Sequence, residues 1–165
     1  MKTERFYLEI ALEEAGRAGR EGTYPIGALV VSPDGIILGR GRNQVYSAGD
    51  YTAHAEMNAF RNTGGALMAA SYRGKCTLYT TLEPCLMCAG ALLLANIAHV
   101  VWAANDPDYG ALHLPYDGGL YPALFARLLL TATPEHDLAD RVQELMQGWI
   151  AGPKPQKLRW TTMNK

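Results

Sequence analysis

The sequence lacks the features that would place the protein in a membrane or in a secreted, disulfide-stapled fold. No apolar run approaches the ~18 residues that a membrane span needs, and residues 2–5 lack the apolar core of a signal peptide. Only three cysteines are present, which fits a reducing cytosol better than an oxidising compartment. We therefore expect a cytoplasmic protein that does not act at a membrane.

An excess of charge of one sign is also missing. The net charge is −1 and the sequence pI about 6.4, so the chain carries no overall electrostatic footprint for nucleic acid, although neutrality alone does not exclude such a partner. The 165 residues fit one domain whose core needs no disulfides. We predict a single domain over 1–152 and a loose basic tail over 153–165.

The order of apolar runs and turn signals predicts an α/β fold. Helices are expected over 3–18, about 54–62, from 85 onward and after 133; strands are expected over 26–31, 36–40, 76–82, 98–103 and 128–131. The strand from 76, the helix from 85 and the strand from 98 form a β-α-β unit, which implies parallel neighbours. The predicted architecture is a three-layer α/β/α sandwich with a mixed sheet of about five strands.

Two helix starts are predicted from capping residues. Asp50 or Thr52 could cap the helix that carries residues 54–62, and the polar residues 43–51 before it form either a pocket wall or a surface loop. Thr133 is expected to cap the last helix, with Pro134 at its first position.

A short stretch, residues 81–88, contains two cysteines where a predicted strand is followed by a predicted helix. Cys85 and Cys88 are three residues apart, so both sulfur atoms lie on one face of a helical turn. The helix N-terminus favours thiolate over thiol. A C-x-x-C pair in this setting suits either a metal or a thioredoxin-like redox reaction, and the pair alone leaves both open.

A histidine and a glutamate upstream favour the metal. His54 and Glu56 form H-A-E, and together with Pro84-Cys85-Leu86-Met87-Cys88 they match the pattern H-x-E…P-C-x-x-C of zinc deaminases. Catalytic zinc sites keep three protein ligands and leave a fourth position for water, and His54, Cys85 and Cys88 supply three. The third cysteine, Cys76, is roughly 20 Å away along an extended strand, so we expect a buried core thiol.

The sequence resembles the cytidine deaminase-like superfamily, in the branch that holds bacterial tRNA adenosine deaminases, guanine deaminases and fungal cytosine deaminases. The resemblance runs from about residue 6 to 102 and is carried by residues 25–28, 41–43, 52–56 and 78–90. It implies the three-layer fold, a Zn²⁺ cofactor, a homodimer whose partner helps wall the pocket, and Glu56 as the catalytic proton shuttle.

The resemblance also implies substrate-binding residues. Asn43 matches an asparagine that contacts the sugar or base, and the backbone N–H of Ala55 commonly binds the base edge. Asp106 matches an aspartate that contacts substrate in the tRNA enzymes, whereas Asp108 aligns with one in the guanine deaminase loop. Some aromatic side chains could stack on a base, although such residues usually belong to a core: Trp102, Tyr109, Tyr116 and Trp149. His99, His113 and His136 are expected to be structural or solvated.

These residues are compatible with two substrate classes, a small aminated heterocycle and tRNA. The tRNA enzymes usually carry Arg-Pro after the asparagine and Lys-Thr-Gly after the aspartate, whereas this chain has Gln44-Val45 and residues 107–110 reading Pro-Asp-Tyr-Gly. An RNA binder depends on Lys and Arg contacts to phosphate, and here one such Arg is replaced. The sequence therefore favours a small aminated heterocycle, free or as nucleoside. tRNA wobble adenosine is the alternative substrate, and a redox or non-catalytic zinc-binding module is the alternative class.

Overall fold

The computed structural model describes residues 2–133 and 135–153, which form five helices and five strands together with two short helical turns. In chain order they are α1 (Glu4–Arg20), β1 (Gly27–Val31), β2 (Ile37–Arg42), a π-helical turn (Val45–Gly49), α2 (Ala55–Asn62), a 3₁₀ turn (Ala66–Met68), β3 (Thr77–Leu82), α3 (Leu86–Leu94), β4 (His99–Ala104), α4 (Tyr121–Phe125), β5 (Leu129–Ala132) and α5 (His136–Ala151). Within these described residues, none of the helices combines the length and the hydropathy required to cross a bilayer.

The strands form one mixed sheet in the order β2-β1-β3-β4-β5. β1 runs antiparallel to both β2 and β3, while β3, β4 and β5 are parallel to one another. The predicted five-stranded mixed sheet is confirmed, and so is the β-α-β unit formed by β3, α3 and β4. The hairpin joining β1 to β2 turns at residues 32–36, between the two strands that the sequence predicted.

Two hydrophobic clusters, one on each face of the sheet, account for the three layers. Alternate strand residues point to opposite faces, so Val30 and Leu78 pack with α2 and α3, while Leu29 and Tyr79 pack with α1 and α5. All five residues of β1 are buried because the strand lies at the centre of both clusters. The predicted sandwich is therefore confirmed, and Cys76 is a buried thiol of the first cluster, as expected.

Close packing between α2 and β2 fixes where α2 begins. A Cβ atom added to Gly41 would lie 2.1 Å from the carbonyl oxygen of Ala55, and one added to Gly39 would lie 2.3 Å from that of Ala59. Only glycine allows the helix to approach the strand this closely. As a result, His54 sits directly above the end of β2.

The predicted helix caps are wrong. His54 occupies the N-cap position of α2, while Asp50 instead accepts hydrogen bonds from the backbone and hydroxyl of Thr52 within a local turn. α5 begins at His136 rather than directly after Thr133. The N–H of Thr133 donates a hydrogen bond to the carbonyl of Trp102 at 2.9 Å, so Thr133 still extends the sheet. Pro134 and the tail 154–165 lie outside the described residues.

Candidate metal centre and substrate site

Three potential metal ligands converge where α2 and α3 begin. His54 is the N-cap residue of α2, Cys85 is the N-cap residue of α3, and Cys88 lies in the first turn of α3. The Nδ1 atom of His54 lies 3.6 Å from Cys85 Sγ and 3.7 Å from Cys88 Sγ. A tetrahedral zinc with ~2.0 Å bonds to nitrogen and ~2.3 Å bonds to sulfur separates these atoms by about 3.6 Å. The residues present therefore fit zinc.

The protonation of these groups also suits a cation. The pKa of Cys85 is lowered to about 4, chiefly by its interaction with Cys88 and also because His54 lies alongside. The same contact and burial raise the pKa of Cys88, and the contact with Cys85 raises the pKa of His54. The three groups thus share protons that a metal ion between them would replace. Among the described residues, His54, Cys85 and Cys88 form the single cluster of potential metal ligands.

Neither helix that begins at this centre has a side-chain cap. His54 and Cys85 stand where Ser, Thr, Asp or Asn usually accept a hydrogen bond from the first turn, and neither side chain makes that bond. Two uncapped N-termini direct their partial positive charge at the same point, which stabilises thiolate ligands. The caps are missing because their positions are used by candidate ligands.

Glu56 lies in the first turn of α2, where its side chain is buried beside the candidate ligands. One carboxylate oxygen accepts a hydrogen bond from the Thr80 hydroxyl at 3.2 Å, and the other accepts one from the Cys88 thiol at 3.4 Å. Burial raises the pKa of Glu56. A carboxyl group with a raised pKa next to a metal site can both accept and return a proton at neutral pH.

Asn43 follows β2 and is only 1% exposed. Its Oδ1 atom accepts hydrogen bonds from the Thr23 hydroxyl at 2.6 Å and from the Val45 N–H at 3.1 Å. The N–H of the next residue, Gln44, donates to the carbonyl of Ala53, which places the segment against the residue preceding His54. The structure therefore brings Asn43 beside the metal centre. Its contact with substrate stays a prediction, as does that of the Ala55 N–H at the start of α2.

Asp106 and Asp108 lie in the loop that follows β4. The Asp106 Oδ1 atom accepts hydrogen bonds from the N–H groups of Asp108 and Tyr109, both at 3.0 Å, so this carboxylate caps its own turn. Asp108 is exposed. The loop is brought to the metal centre by pairing of Gly110 with Cys85, yet a substrate contact by either aspartate stays a prediction.

Glu83 is a site residue that sequence reasoning missed. Its buried carboxylate accepts hydrogen bonds from the N–H groups of Asp106 and Leu112 and from a ring nitrogen of His113, at 3.4, 3.2 and 3.0 Å. It thereby ties the loop to the strand end that precedes Cys85. The one available signal was a charged residue at the end of an otherwise buried strand.

The aromatic and histidine side chains are mostly structural. Trp102 belongs to the core and donates to Asn105, and Tyr116 stacks on Phe125. The ring centroids of Trp149 and Tyr24 are 4.3 Å apart, so Trp149 belongs to an aromatic cluster. Tyr109 is exposed on the loop. Each of the remaining histidines fits the expectation of a structural or solvated role: His99 bonds Thr131, His113 bonds Glu83, and His136 is exposed.

Two cavities lie in different parts of the molecule. The larger, about 580 Å³, is lined by residues of α1 and α5 on the face of the sheet opposite α2 and α3, and its lining contains none of the candidate ligands. The smaller, about 130 Å³, is lined by Val45, Tyr46, Gly49 and Tyr51, directly after Asn43. Neither cavity is lined by a candidate ligand, but the smaller one lies in the segment that joins Asn43 to His54.

Comparison with known proteins supports this assignment. Residues 1–104 match the family described as the cytidine and deoxycytidylate deaminase zinc-binding region. The match covers more than half of the chain, so the chain belongs to this zinc-binding family, and His54, Cys85 and Cys88 are the described residues that could hold the zinc. The predicted enzyme class, a zinc-dependent deaminase, is confirmed at the level of the family.

Several relatives illustrate what the chain is similar to. The tRNA(Ile)-lysidine synthase of Deinococcus radiodurans is 47% identical over 102 residues, 62% of this chain but only 17% of that protein. The tRNA-specific adenosine deaminase of Aquifex aeolicus is 40% identical over 109 residues, 66% of this chain and 71% of that protein. The cytosine deaminase of Candida albicans is 41% identical over 113 residues, 68% of this chain and 74% of that protein.

Solved structures show the same fold. A guanine deaminase from Nitrosomonas europaea has a TM-score of 0.73 and 25% identity, covering 92% of this chain and 87% of that one. A structure from work on A-to-I editing by tRNA:A34 deaminases has a TM-score of 0.69 and 31% identity, covering 86% and 99%. The similarity includes enzymes for free bases and enzymes for tRNA.

Proposed function

We propose that this protein hydrolytically deaminates a small aminated heterocycle, either a free nucleobase or a nucleoside. The observation that carries the proposal is the buried carboxyl group of Glu56 beside a His-Cys-Cys ligand set. Three protein ligands leave a fourth coordination position for water, which is the arrangement of catalytic rather than structural zinc. The C-x-x-C redox alternative explains neither His54 nor Glu56.

The reaction exchanges the amino group of the ring for oxygen from water and releases ammonia, without any change of oxidation state. Zinc, when bound, supplies a Lewis acid that lowers the pKa of the attacking water. Glu56 accepts the proton that this water loses and passes it to the ring nitrogen next to the amino-bearing carbon. The water oxygen adds to that carbon. Glu56 then takes the remaining proton from the hydroxyl group now on the carbon and gives it to the amino group, so that the C–N bond breaks, the carbonyl forms and ammonia leaves. Thr80 holds the carboxylate in place with its hydroxyl.

The charges around the site support a small substrate. Residues 105–120, which follow β4 and dock on the metal centre, contain three aspartates and no lysine or arginine. Asp106 and Asp108 are thus placed where a phosphate backbone would be repelled, whereas a neutral base pays no such electrostatic cost. Two of the similar proteins, a cytosine deaminase and a guanine deaminase, are named for substrates of this small size.

Wobble adenosine in tRNA is the second candidate substrate, since it is supported by the 40% identity to a tRNA-specific adenosine deaminase. Arg61 lies on the exposed side of α2, but it is engaged with Thr52 and Asn58. The basic tail that could meet phosphate lies outside the described residues. The charge of the loop therefore leaves the small heterocycle as the better supported proposal.

The assembly and location of the protein complete the proposal. We infer a homodimer, as the family resemblance implies, because α3 leaves Leu86, Met87 and Leu94 exposed. A cytoplasmic location follows from three cysteines that are all free. We treat residues 1–152 as one catalytic domain, because the two core clusters share a single sheet.

An ammonia-release screen tests the proposal. The zinc-loaded protein is assayed with guanine, cytosine, adenine, their nucleosides and tRNA, and the chelator-stripped protein serves as the control. We expect ammonia from at least one free base or nucleoside. Conversion of wobble adenosine to inosine with all small compounds inert would establish the second candidate, and no ammonia from any substrate would favour a non-catalytic zinc-binding module.

A further inference from the structure

Thr23 and Asn43 form a buried polar pair that the proposed mechanism does not use. Thr23 is fully buried in the turn after α1, and its hydroxyl oxygen lies 2.6 Å from the Asn43 Oδ1 atom. The two residues are 20 positions apart in sequence and come together only because α1 and β2 end at the same edge of the fold. Such a pair costs desolvation unless its hydrogen bonds are complete.

The neighbouring backbone determines which way the Asn43 amide faces. The N–H of Val45 points at the same atom of Asn43 from 3.1 Å, and because a backbone N–H can only donate, that atom is the oxygen. The N–H of Tyr46 donates to the Thr23 hydroxyl at 3.4 Å, which leaves the hydroxyl proton for Asn43. Both donors therefore hold the amide oxygen, and the NH₂ group faces away from them.

No residue among 2–133 and 135–153 accepts a hydrogen bond from the NH₂ group, and this group is not fully buried, since no fully buried side-chain nitrogen or oxygen of those residues lacks a partner. We propose that Thr23 is a positioning residue that fixes Asn43 as a hydrogen-bond donor only, so that the site selects substrates presenting an acceptor, such as a ring carbonyl oxygen, at this point. This inference rests on the proposed function, since it names a feature of the same substrate. A base lacking that acceptor would leave a buried donor unpaired.

An aromatic cluster holds the turn that supplies the two backbone donors. The hydroxyl of Tyr46 donates to that of Tyr24 at 3.0 Å, and the ring of Trp149 from α5 stacks on Tyr46 with centroids 6.0 Å apart. The turn at Val45–Gly49 is therefore fixed both to the segment between α1 and β1 and to α5. This rigidity lets Val45 and Thr23 act on Asn43 as a preformed unit.

Kinetics of matched variants give the first test. Thr23→Val removes the hydroxyl at almost constant volume, Thr23→Ser keeps it, and Thr63→Val removes another buried hydroxyl, which donates to the Phe60 carbonyl at 2.7 Å. With guanine or cytosine as substrate, we expect Thr23→Val to lower kcat/KM about tenfold, mainly through KM. Thr23→Ser and Thr63→Val should change kcat/KM less than about threefold.

Analogues that lack the carbonyl oxygen test the selection itself. 2-Aminopurine is guanine without its carbonyl oxygen, and 4-aminopyrimidine is cytosine without its own. Because these compounds offer no acceptor to Asn43, their inhibition constants should differ less than about twofold between the native protein and Thr23→Val. Equal losses for bases and analogues would overturn the proposal, since they would indicate general damage to the pocket.

A measurement that needs no turnover separates this inference from the proposed function. In protein labelled with ¹⁵N-asparagine, the side-chain NH₂ signals of Asn43 are assigned by their loss in Asn43→Ala. We expect them to shift in Thr23→Val and to stay in place in Thr23→Ser and Thr63→Val. Unshifted signals in Thr23→Val contradict the positioning role, whereas shifted signals in a protein inactive on every small base refute only the proposed substrate class.

Discussion

At the scale of single residues, the candidate zinc ligands are the first point to test. Replacing Cys85 or Cys88 with serine should lower the zinc content from about one ion per chain to nearly none, because serine is a poor zinc ligand and two ligands do not close the site. Cys76→Ala is the matched control, since Cys76 is a buried thiol of the core. Elemental analysis of the purified proteins measures the outcome.

Two results would contradict this assignment. One is a full equivalent of zinc in Cys85→Ser. The other is a metal-free native protein with a Cys85–Cys88 disulfide, which would support the redox alternative that the C-x-x-C spacing left open.

The role of Glu56 gives the second residue-scale prediction. Glu56→Gln keeps the shape and the ligands but cannot transfer a proton, so zinc content and thermal stability should persist while kcat falls by about 10²–10⁴-fold. Glu14→Gln is the control, because Glu14 is another buried glutamate, bonded to Arg17 far from the ligands. Ammonia release compares the two variants. Equal activity of Glu56→Gln and the native protein would remove Glu56 from the mechanism.

The residues of the metal centre could be predicted from sequence, but their supports could not. His54, Glu56, Cys85 and Cys88 lie in short motifs whose spacing alone fixes a shared face or turn. By contrast, Glu83 acquires its role from a loop 23–30 residues later in the chain. Contacts of this kind depend on how loops pack, and no local pattern encodes them.

At the scale of elements, local rules predicted the strands better than the helix starts. Continuous apolar runs located β1 and β4 within one residue, because strands buried on both faces need apolar residues at every position. The predicted cap of α2 failed because His54, a candidate metal ligand, takes the N-cap position. Sequence rules therefore failed where function displaced the stabilising residue, which is where such failures are expected.

An ion cluster joins the first and last helices. Arg5 of α1 donates to both carboxylate oxygens of Asp137, at 3.0 and 2.7 Å, and also pairs with Glu135 at the start of α5. Arg5→Ala should lower the Tm by at most about 4 °C, since all three side chains are partly exposed to solvent, which screens the pairing. Arg20→Ala, at the other end of α1, is the control and should change the Tm less.

The effect of Arg5→Ala should depend on pH in a defined direction. The hydrogen bond from Arg5 lowers the pKa of Asp137 below its ordinary value. A carboxyl group with a lowered folded-state pKa stabilises the fold above its unfolded pKa of ~3.9, and this contribution is lost as the pH falls through the folded value. The Tm difference between Arg5→Ala and the native protein should therefore be present at pH 7 and shrink below about pH 4. A difference that grows on acidification would contradict this pairing.

At the scale of the whole molecule, the two faces of the sheet carry different features. The face covered by α1 and α5 carries the Arg5 ion cluster and the larger cavity, and none of the candidate ligands lies there. The face covered by α2 and α3 carries the ligands, because the N-termini of both helices meet at the carboxyl end of β3. The aromatic cluster of Tyr24, Tyr46 and Trp149 connects the two, since α5 reaches around to the turn beside Asn43.

The outer face of α3 leads to a prediction about assembly. Met87 and Leu94 are seven residues apart and so share one side of the helix, and Leu94 is 91% exposed. An apolar patch beside the metal centre is typical of a surface that another protein covers. If a second copy covers it, the native protein should sediment at about twice its 18.0 kDa mass. The double variant Met87→Glu/Leu94→Glu should then be monomeric, because four buried carboxylates, two from each copy, would repel one another.

The activity of that monomer distinguishes a working interface from an incidental one. Because the first turn of α3 carries two candidate zinc ligands, a partner on its outer face would stand close to the substrate, so we expect the monomeric variant to keep its zinc and to lose kcat/KM by tenfold or more. Ile36→Glu is the control, since Ile36 is an equally apolar but isolated exposed residue in the β1–β2 turn, 53% exposed. It should leave both mass and activity unchanged. A native protein that sediments as a monomer at micromolar concentration, with full activity, would refute the dimer.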